Sequence, residues 1–257
     1  TGERDTILMA TGHAVVFGGR GFVGAAICRE LARRGLQVVS VGRSAGPGAG
    51  GDLGPGVVHR DGVNALEPET FKESLKGARA VVVAVGEAPW AEFTGGTKDR
   101  AVQANGMTNV SVLRAAAELR IPRIILVNAT MPSWSLISGY RKGKELAEAE
   151  ARAYPETSGL GASCGVTILK PSSVSGTRYA GKFPVPLWCF MEPMRMTMQL
   201  LARPCAWLES SCPSLFAGVL QPAVRVTELA QASADAATAE ENSGVRTIGP
   251  DTLVGYR

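Results

Sequence analysis

The stretch Val15-Val16-Phe17-Gly18-Gly19-Arg20-Gly21-Phe22-Val23-Gly24 decides the fold. It joins an apolar run, His13 to Phe17, to a segment with apolar residues at helical spacing (Phe22, Ala26, Ile27, Leu31) that stops at Gly35. A strand that passes into a helix through glycines spaced in this way forms a seat for an anion. Gly18 permits the tight turn, Gly21 lets the backbone approach a pyrophosphate, and Gly24 lets helix and strand pack closely. The helix N-terminus adds unbonded N–H groups and the positive end of the helix dipole. The segment Gly18, Gly19, Arg20, Gly21, Phe22, Val23 and Gly24 is therefore the candidate phosphate loop, and a purely structural turn is the plainer alternative.

Working outward, strands and helices alternate. Strands are expected at residues 37–41, 57–59, 80–85, 123–128, 165–170 and 245–248. Helices are expected at 68–76, 99–119, 140–154 and 227–239. This alternation implies an α/β fold: a Rossmann-type, doubly wound parallel sheet with helices on both faces. No repeat or linker interrupts it, so residues 1–257 read as one domain. Residues 42–56, GRSAGPGAGGDLGPG, form a Gly/Pro-rich loop. Beyond Pro171 the pattern loosens, and residues 183–240 are expected to form a small irregular lid over the carboxyl edge of the sheet, as a substrate or docking region. Within it Met191, Met194, Met196 and Met198 crowd beside Trp188 and Phe190. They suit an adaptable apolar pocket, a docking face or a small core beneath the lid.

The end of the second strand selects the nucleotide. A site for NAD places an acid there to meet the ribose 2′-hydroxyl, whereas this chain reads Val41-Gly42-Arg43-Ser44. Arg43 can pair with a 2′-phosphate in a charge-assisted fork, with Arg20 and Ser44 assisting. The expected cofactor is NADP(H), with NAD(H) as the alternative, and Arg43 as a mere solvated loop residue is the bland reading. Asp61 follows the third strand where an acid contacting adenine would stand, and Val85 and Gly86 follow the fourth, beside the adenosine and ribose.

Tyr140 and Lys144 are four residues apart and share one helix face. A neighbouring ammonium stabilises a phenolate, so Lys144 is expected to lower the Tyr140 pKa and let it exchange a proton as hydride moves. A surface Tyr and Lys is the alternative. Gly143 inside that turn weakens the helix.

Composition excludes other classes. The chain has 257 residues, 45% hydrophobic, with net charge +4 and no Lys/Arg run interleaved with aromatics, so no nucleic-acid partner is expected. Cys28, Cys164, Cys189, Cys205 and Cys212 are odd in number and form no C-x-x-C, so metal and redox motifs lack support. No apolar run is long enough for a transmembrane segment, and peripheral membrane association stays open. His13 and His59 lie on or beside strands as packed residues. Residues 1–12 carry no transit-peptide signature.

Taken together, GGRGFVG (18–24), GRS (42–44), Asp61, QANGMTNVSVLRAAAEL (103–119), RIILVNA (123–129), YRKGK (140–144) and LKPSSVSGTR (169–178) resemble the short-chain dehydrogenase/reductase superfamily, in its extended and atypical branch. Within it the chain looks most like an organellar group that includes the dinucleotide-binding accessory subunit of mitochondrial complex I and reductase-like proteins linked to coenzyme Q synthesis. LKPSSVSGTRYAGKFPVPLW resembles that group's loop facing nicotinamide and substrate, and PAVRVTELAQASADAA its late strand and helix. The resemblance implies that Tyr140 and Lys144 serve catalysis and also hold the nucleotide, with Asn128 and Pro171 beside it. Active members place a Ser or Thr just after the fifth strand. Here the stretch reads Asn128-Ala129-Thr130, so Thr130, or Ser133, is the candidate substitute. Two functions follow. One is an accessory subunit of an organellar electron-transport complex, or a role in quinone metabolism, docking through residues 183–208. The other is an active NADPH-dependent reductase or dehydrogenase acting on an apolar carbonyl. The resemblance favours a mitochondrial matrix location over a plastid.

Overall fold

A computed structural model of the chain describes residues 12–44, 51–92, 94–131, 137–180, 183–212, 216, 220–239 and 243–256. Seven strands make one sheet: β1 (His13–Phe17), β2 (Val38–Val41), β3 (Val57–Arg60), β4 (Ala78–Val83), β5 (Arg123–Val127), β6 (Gly165–Leu169) and β11 (Gly244–Ile248). Their order is β3-β2-β1-β4-β5-β6-β11, and every neighbouring pair is parallel. The Rossmann-type fold expected from the sequence is the fold observed. The chain leaves β3 at one edge and re-enters beside β1 as β4, so the carboxyl ends of β1 and β4 flank the point where winding reverses. Doubly wound sheets bind their ligands at that point.

The central strands are buried on both faces, which explains their unbroken apolar runs. On one face Val15 and Phe17 of β1 pack with Phe71, Leu113, Ala147 and Tyr154, under α2 (Lys72–Leu75), α4 (Thr108–Glu118) and α5 (Ser138–Thr157). On the other, Ala14 and Val16 pack with Ile27, Leu31 and Leu229, under α1 (Phe22–Arg33) and α8 (Val226–Thr238). Gly35, at φ +82°, ends the turn after α1 as expected.

Two regions differ from the sequence reading. The single helix expected at residues 99–119 is three pieces: α3 (Lys98–Val102), a π-helical turn (Gln103–Met107) and α4. The loosened C-terminal part is more regular than a lid of loops. It contains a two-stranded parallel pair, β7 (Val174–Ser175) with β10 (Val224–Arg225), and an antiparallel hairpin, β8 (Thr177–Ala180) with β9 (Phe183–Pro186). Two helices, α6 (Trp188–Leu200) and α7 (Ala202–Ser211), follow, and α9 (Pro250–Leu253) closes the chain. Arg195 is the only residue of α6 that is buried, and α7 buries none, so the reading of the methionines as a small core is corrected. Residues 45–50 of the Gly/Pro-rich loop lie outside the described residues, as does Ser133.

Candidate functional site

Each glycine of the loop is required by a close approach. Gly18 has φ +76°, and a Cβ there would stand 2.7 Å from the carbonyl oxygen of Ala84, past the end of β4. The Gly21 N–H donates to the Gly18 carbonyl at 2.8 Å, and a Cβ on Gly24 would overlap that same oxygen. Gly21 caps α1 with extended backbone and no side-chain bond, and the first turn carries no acid. Its N–H groups, from Phe22, Val23 and Gly24, therefore have no intrahelical acceptor and suit an anion. Because a Cβ on Gly24 would meet the backbone of Gly18 and Gly19, Gly24→Ala must push α1 off the loop. We expect it to cost about 1–3 kcal/mol of stability and to weaken nucleotide binding; a thermal melt with and without NADPH reads both effects.

Beside the loop opens a cavity of about 540 Å³, within the usual range for small-molecule sites. Gly18, Arg20, Gly21, Arg43, Ser44, Val85 and Gly86 all line it, so the structure brings these expected residues together. Asp61 is exposed and not among the lining residues; Val63 and Asn64 form that wall instead. Among the described residues the one lining carboxylate is Glu87, which is tied to Arg100 at 2.8 Å. The glycine loop thus brings Arg20, and the residues just past β2 bring Arg43, to the wall of this cavity.

His59, also in the lining, organises this end. Its Nε2 lies 3.0 Å from the Ser44 carbonyl and its Nδ1 2.9 Å from Ser40 Oγ. A carbonyl only accepts, so Nε2 carries the proton and Nδ1 accepts from the Ser40 hydroxyl. Burial, with the Arg20 charge adding to it, holds the imidazole below its ordinary pKa. A neutral ring thereby fixes the strand end that carries Arg43. Sequence reading placed His59 as a packed residue but could not see this relay.

Tyr140 and Lys144 lie in the first turns of α5, outside the cavity lining. The preceding residue Ile137 offers no side-chain cap, and Glu92 supplies one from another segment. Its carboxylate accepts from the Tyr140 N–H at 2.5 Å and from the Gly139 N–H at 3.4 Å. Gly143 is a packing device rather than a weakness: a Cβ there would stand 3.0 Å from the Gly106 nitrogen and from Asn105 Cβ, so α5 crosses the π-helical turn at touching distance. In that turn the buried Asn105 Oδ1 accepts from the Glu87 N–H at 3.2 Å, and a Cβ on Gly86 would come within 2.5 Å of it.

Lys144 is 7% exposed, and its Nζ donates to the Val127 carbonyl at 3.1 Å. The Nζ stands 5.7 Å from the Tyr140 ring centroid. Burial pulls the ammonium down to about 8 and pushes the phenol up to about 12. The expected lowering of Tyr140 by Lys144 is corrected: burial raises the phenol, and the Lys144 charge does not lower it. Thr130 Oγ donates to the Lys170 carbonyl at 2.9 Å, and its N–H donates to the Pro171 carbonyl at 2.9 Å. Asn128 Nδ2 donates to Glu148 at 2.9 Å and to the Lys144 carbonyl at 3.3 Å, which leaves its buried Oδ1 without a partner. The glycine cradle and this orphaned acceptor fit a dinucleotide lying along the carboxyl edge. Among the described residues no His/Cys/Asp/Glu cluster could hold a metal.

Solved structures share the fold. UDP-glucose 4-epimerase of Thermotoga maritima superposes at a TM-score of 0.64 with 15% identity, over 92% of this chain and 76% of its own. A putative NAD-dependent epimerase/dehydratase of Bacillus halodurans gives 0.59 and 18%, over 93% of both chains. The Bordetella bronchiseptica enzyme WbmH, solved with NAD+, gives 0.59 and 16%, over 93% and 75%. At these identities the likeness is one of fold. An uncharacterised chloroplastic protein of Arabidopsis thaliana is 32% identical over 243 residues, covering 92% of this chain and 75% of its own length. That relative overturns the mitochondrial placement, and leaves the complex I and coenzyme Q settings without support. Residues 18–175 match the NAD(P)H-binding family, and the chain belongs to it, on a Rossmann-type fold.

Proposed function

We propose that this protein is a plastid NADP(H)-dependent oxidoreductase of the short-chain dehydrogenase/reductase type, working on the carbonyl of an apolar small molecule. The observation that carries the cofactor choice is the cavity wall past the end of β2, where Arg43 lines the cavity, the lining carboxylate Glu87 is paired with Arg100, and His59 fixes the adjoining backbone at Ser44. The bound nicotinamide supplies hydride chemistry. Arg43 and Arg20 hold the 2′-phosphate, the first-turn N–H groups of α1 hold the pyrophosphate, and Lys144 holds the nicotinamide ribose. Tyr140 moves the proton. A phenol raised to about 12 is protonated at working pH, so it starts as a donor to the carbonyl oxygen, which favours the direction of reduction.

The test is calorimetric. A charge-assisted pair contributes roughly 1.5–3 kcal/mol, so Arg43→Ala is expected to weaken NADPH about tenfold to a hundredfold while NADH changes little. Equal loss for both nucleotides, or a wild type that prefers NADH, overturns the assignment.

A second reading has its own support. The Thr130 hydroxyl hydrogen is committed to the Lys170 carbonyl, and Thr130, Tyr140 and Lys144 stand apart from the cavity. On that reading the domain holds NADP(H) as a structural group and serves a plastid assembly as an accessory subunit. It predicts tight nucleotide binding with no turnover of carbonyl substrates.

A further inference from the structure

The helical hairpin α6–α7 is turned inside out. Its buried anchor is a charge: the Arg195 guanidinium makes two bonds to Glu228, at 2.9 and 2.8 Å, with the side chains 6% and 7% exposed. A second ion pair, Arg225 with Glu192 at 2.8 Å, ties the same helix to the end of β10. The apolar side chains point outward. Phe190 is 80% and Leu200 86% exposed, and Phe183, Trp188, Met196 and Trp207 are exposed with them. Soluble surfaces rarely carry such a continuous apolar face without something to cover it.

We propose that this face docks on a lipid surface, with the hairpin lying in the headgroup region of an anionic membrane or lipid monolayer. Three observations favour lipid over a protein partner. The face is almost free of the hydrogen-bonding and charged rim that a protein interface uses. Of the charged residues on α6, Glu192 and Arg195 are both consumed by internal pairs, so neither repels a headgroup nor needs water. The charge left over is complementary: Arg203, exposed and with no ion-pair partner among the described residues, opens α7 beside Leu200, the acid of α7, Glu209, accepts from Gln221 at 3.4 Å, and the chain as a whole is +4. Trp, Phe, Leu and Met with a flanking Arg are the composition of helices that lie in an interface. Among the described residues no helix is long and apolar enough to cross a membrane, so the attachment is to one leaflet. The inference stands on α6–α7 alone and does not depend on the cofactor assignment.

Density-gradient flotation tests it. The full chain is expected to float with vesicles of equal parts phosphatidylcholine and phosphatidylglycerol, more weakly with phosphatidylcholine alone, and its tryptophan emission to shift to the blue as they bind. Phe190→Asp/Leu200→Asp is expected to lower the floating fraction by on the order of tenfold or more and to abolish the emission shift. NADPH affinity should be unchanged, because neither residue lines the cavity. If the aspartates disturb folding by circular dichroism, Phe190→Ser/Leu200→Ser carries the same expectation. A wild type that stays at the bottom of the gradient overturns the proposal, as does a correctly folded variant that floats like wild type. A wild type that does not float but elutes as a dimer, which the variant dissociates, overturns it in favour of a second copy.

Discussion

Tyr140→Phe is expected to lower NADPH-dependent carbonyl reduction by on the order of 10²–10⁴-fold and to leave the Kd for NADPH nearly unchanged. The substitution removes one oxygen from a ring that otherwise keeps its place. The ring is partly buried, its backbone N–H is held by Glu92, and the Lys144 ammonium sits over it. None of these contacts needs the hydroxyl, so a lost rate is a lost proton donor and not a lost helix. On the proposed assignment nucleotide affinity rests elsewhere, on the glycine loop with Arg20 and on Arg43 past the end of β2. Steady-state kinetics over a panel of apolar ketones and quinones, with calorimetry on the same preparations, reads both quantities. A rate that survives the change sinks the mechanism. A wild type that binds NADPH tightly and turns over none of the panel favours the accessory reading. A rate lost together with affinity would mean that Tyr140 holds the nucleotide rather than the substrate.

The fold and half of the site were written in local sequence. Gly18, Gly21 and Gly24 announce a turn whose backbone approaches leave no room for Cβ atoms, and unbroken apolar strands announce a sheet buried on both faces. The placement of Arg43 on the cavity wall was legible for a related reason, since it follows two residues after the end of β2. What stayed hidden depends on residues distant in the chain. The 99–119 segment has continuous helical periodicity, and nothing local marks the π-helical turn in which Gly106 meets Gly143. Glu92 caps a helix 48 residues away, and no local pattern marks it. The Tyr140 pKa was misread because spacing reveals a neighbouring charge but not the burial that raises the phenol. The methionines and tryptophans of α6–α7 misled for a related reason. An apolar stripe shows which residues share a face, but here the buried contact is made by Arg195, whose partner lies 33 residues on.

That ion pair carries the other large effect. Arg195→Met is expected to destabilise the protein by about 3–5 kcal/mol, because it leaves Glu228 charged and buried with no cation. Against a total of roughly 5–15 kcal/mol for a domain, this is enough to populate the unfolded state on mild heating. Glu228 has further duties: its carboxylate accepts from the N–H of Arg225 at 2.8 Å and of Gly255 at 2.9 Å, capping α8 and pinning the C-terminal segment. The double variant Arg195→Met/Glu228→Gln should therefore be more stable than Arg195→Met alone, since the amide keeps a capping oxygen and gives up the charge. The pH dependence follows the same logic. Burial pushes the Glu228 carboxyl up, but Arg195 and the two N–H groups outweigh it and hold the carboxyl below its ordinary value. A carboxyl depressed by folding contributes stability that is fully present above the unfolded value of about 4.3 and is lost as pH falls through the lower folded value. Urea titrations at descending pH should show wild-type stability falling below about pH 4.5. In Arg195→Met the carboxyl is raised by burial without its cation, so this variant should instead gain relative to wild type as acid neutralises Glu228. Parallel pH profiles for the two proteins would show that the pair is not what anchors α6.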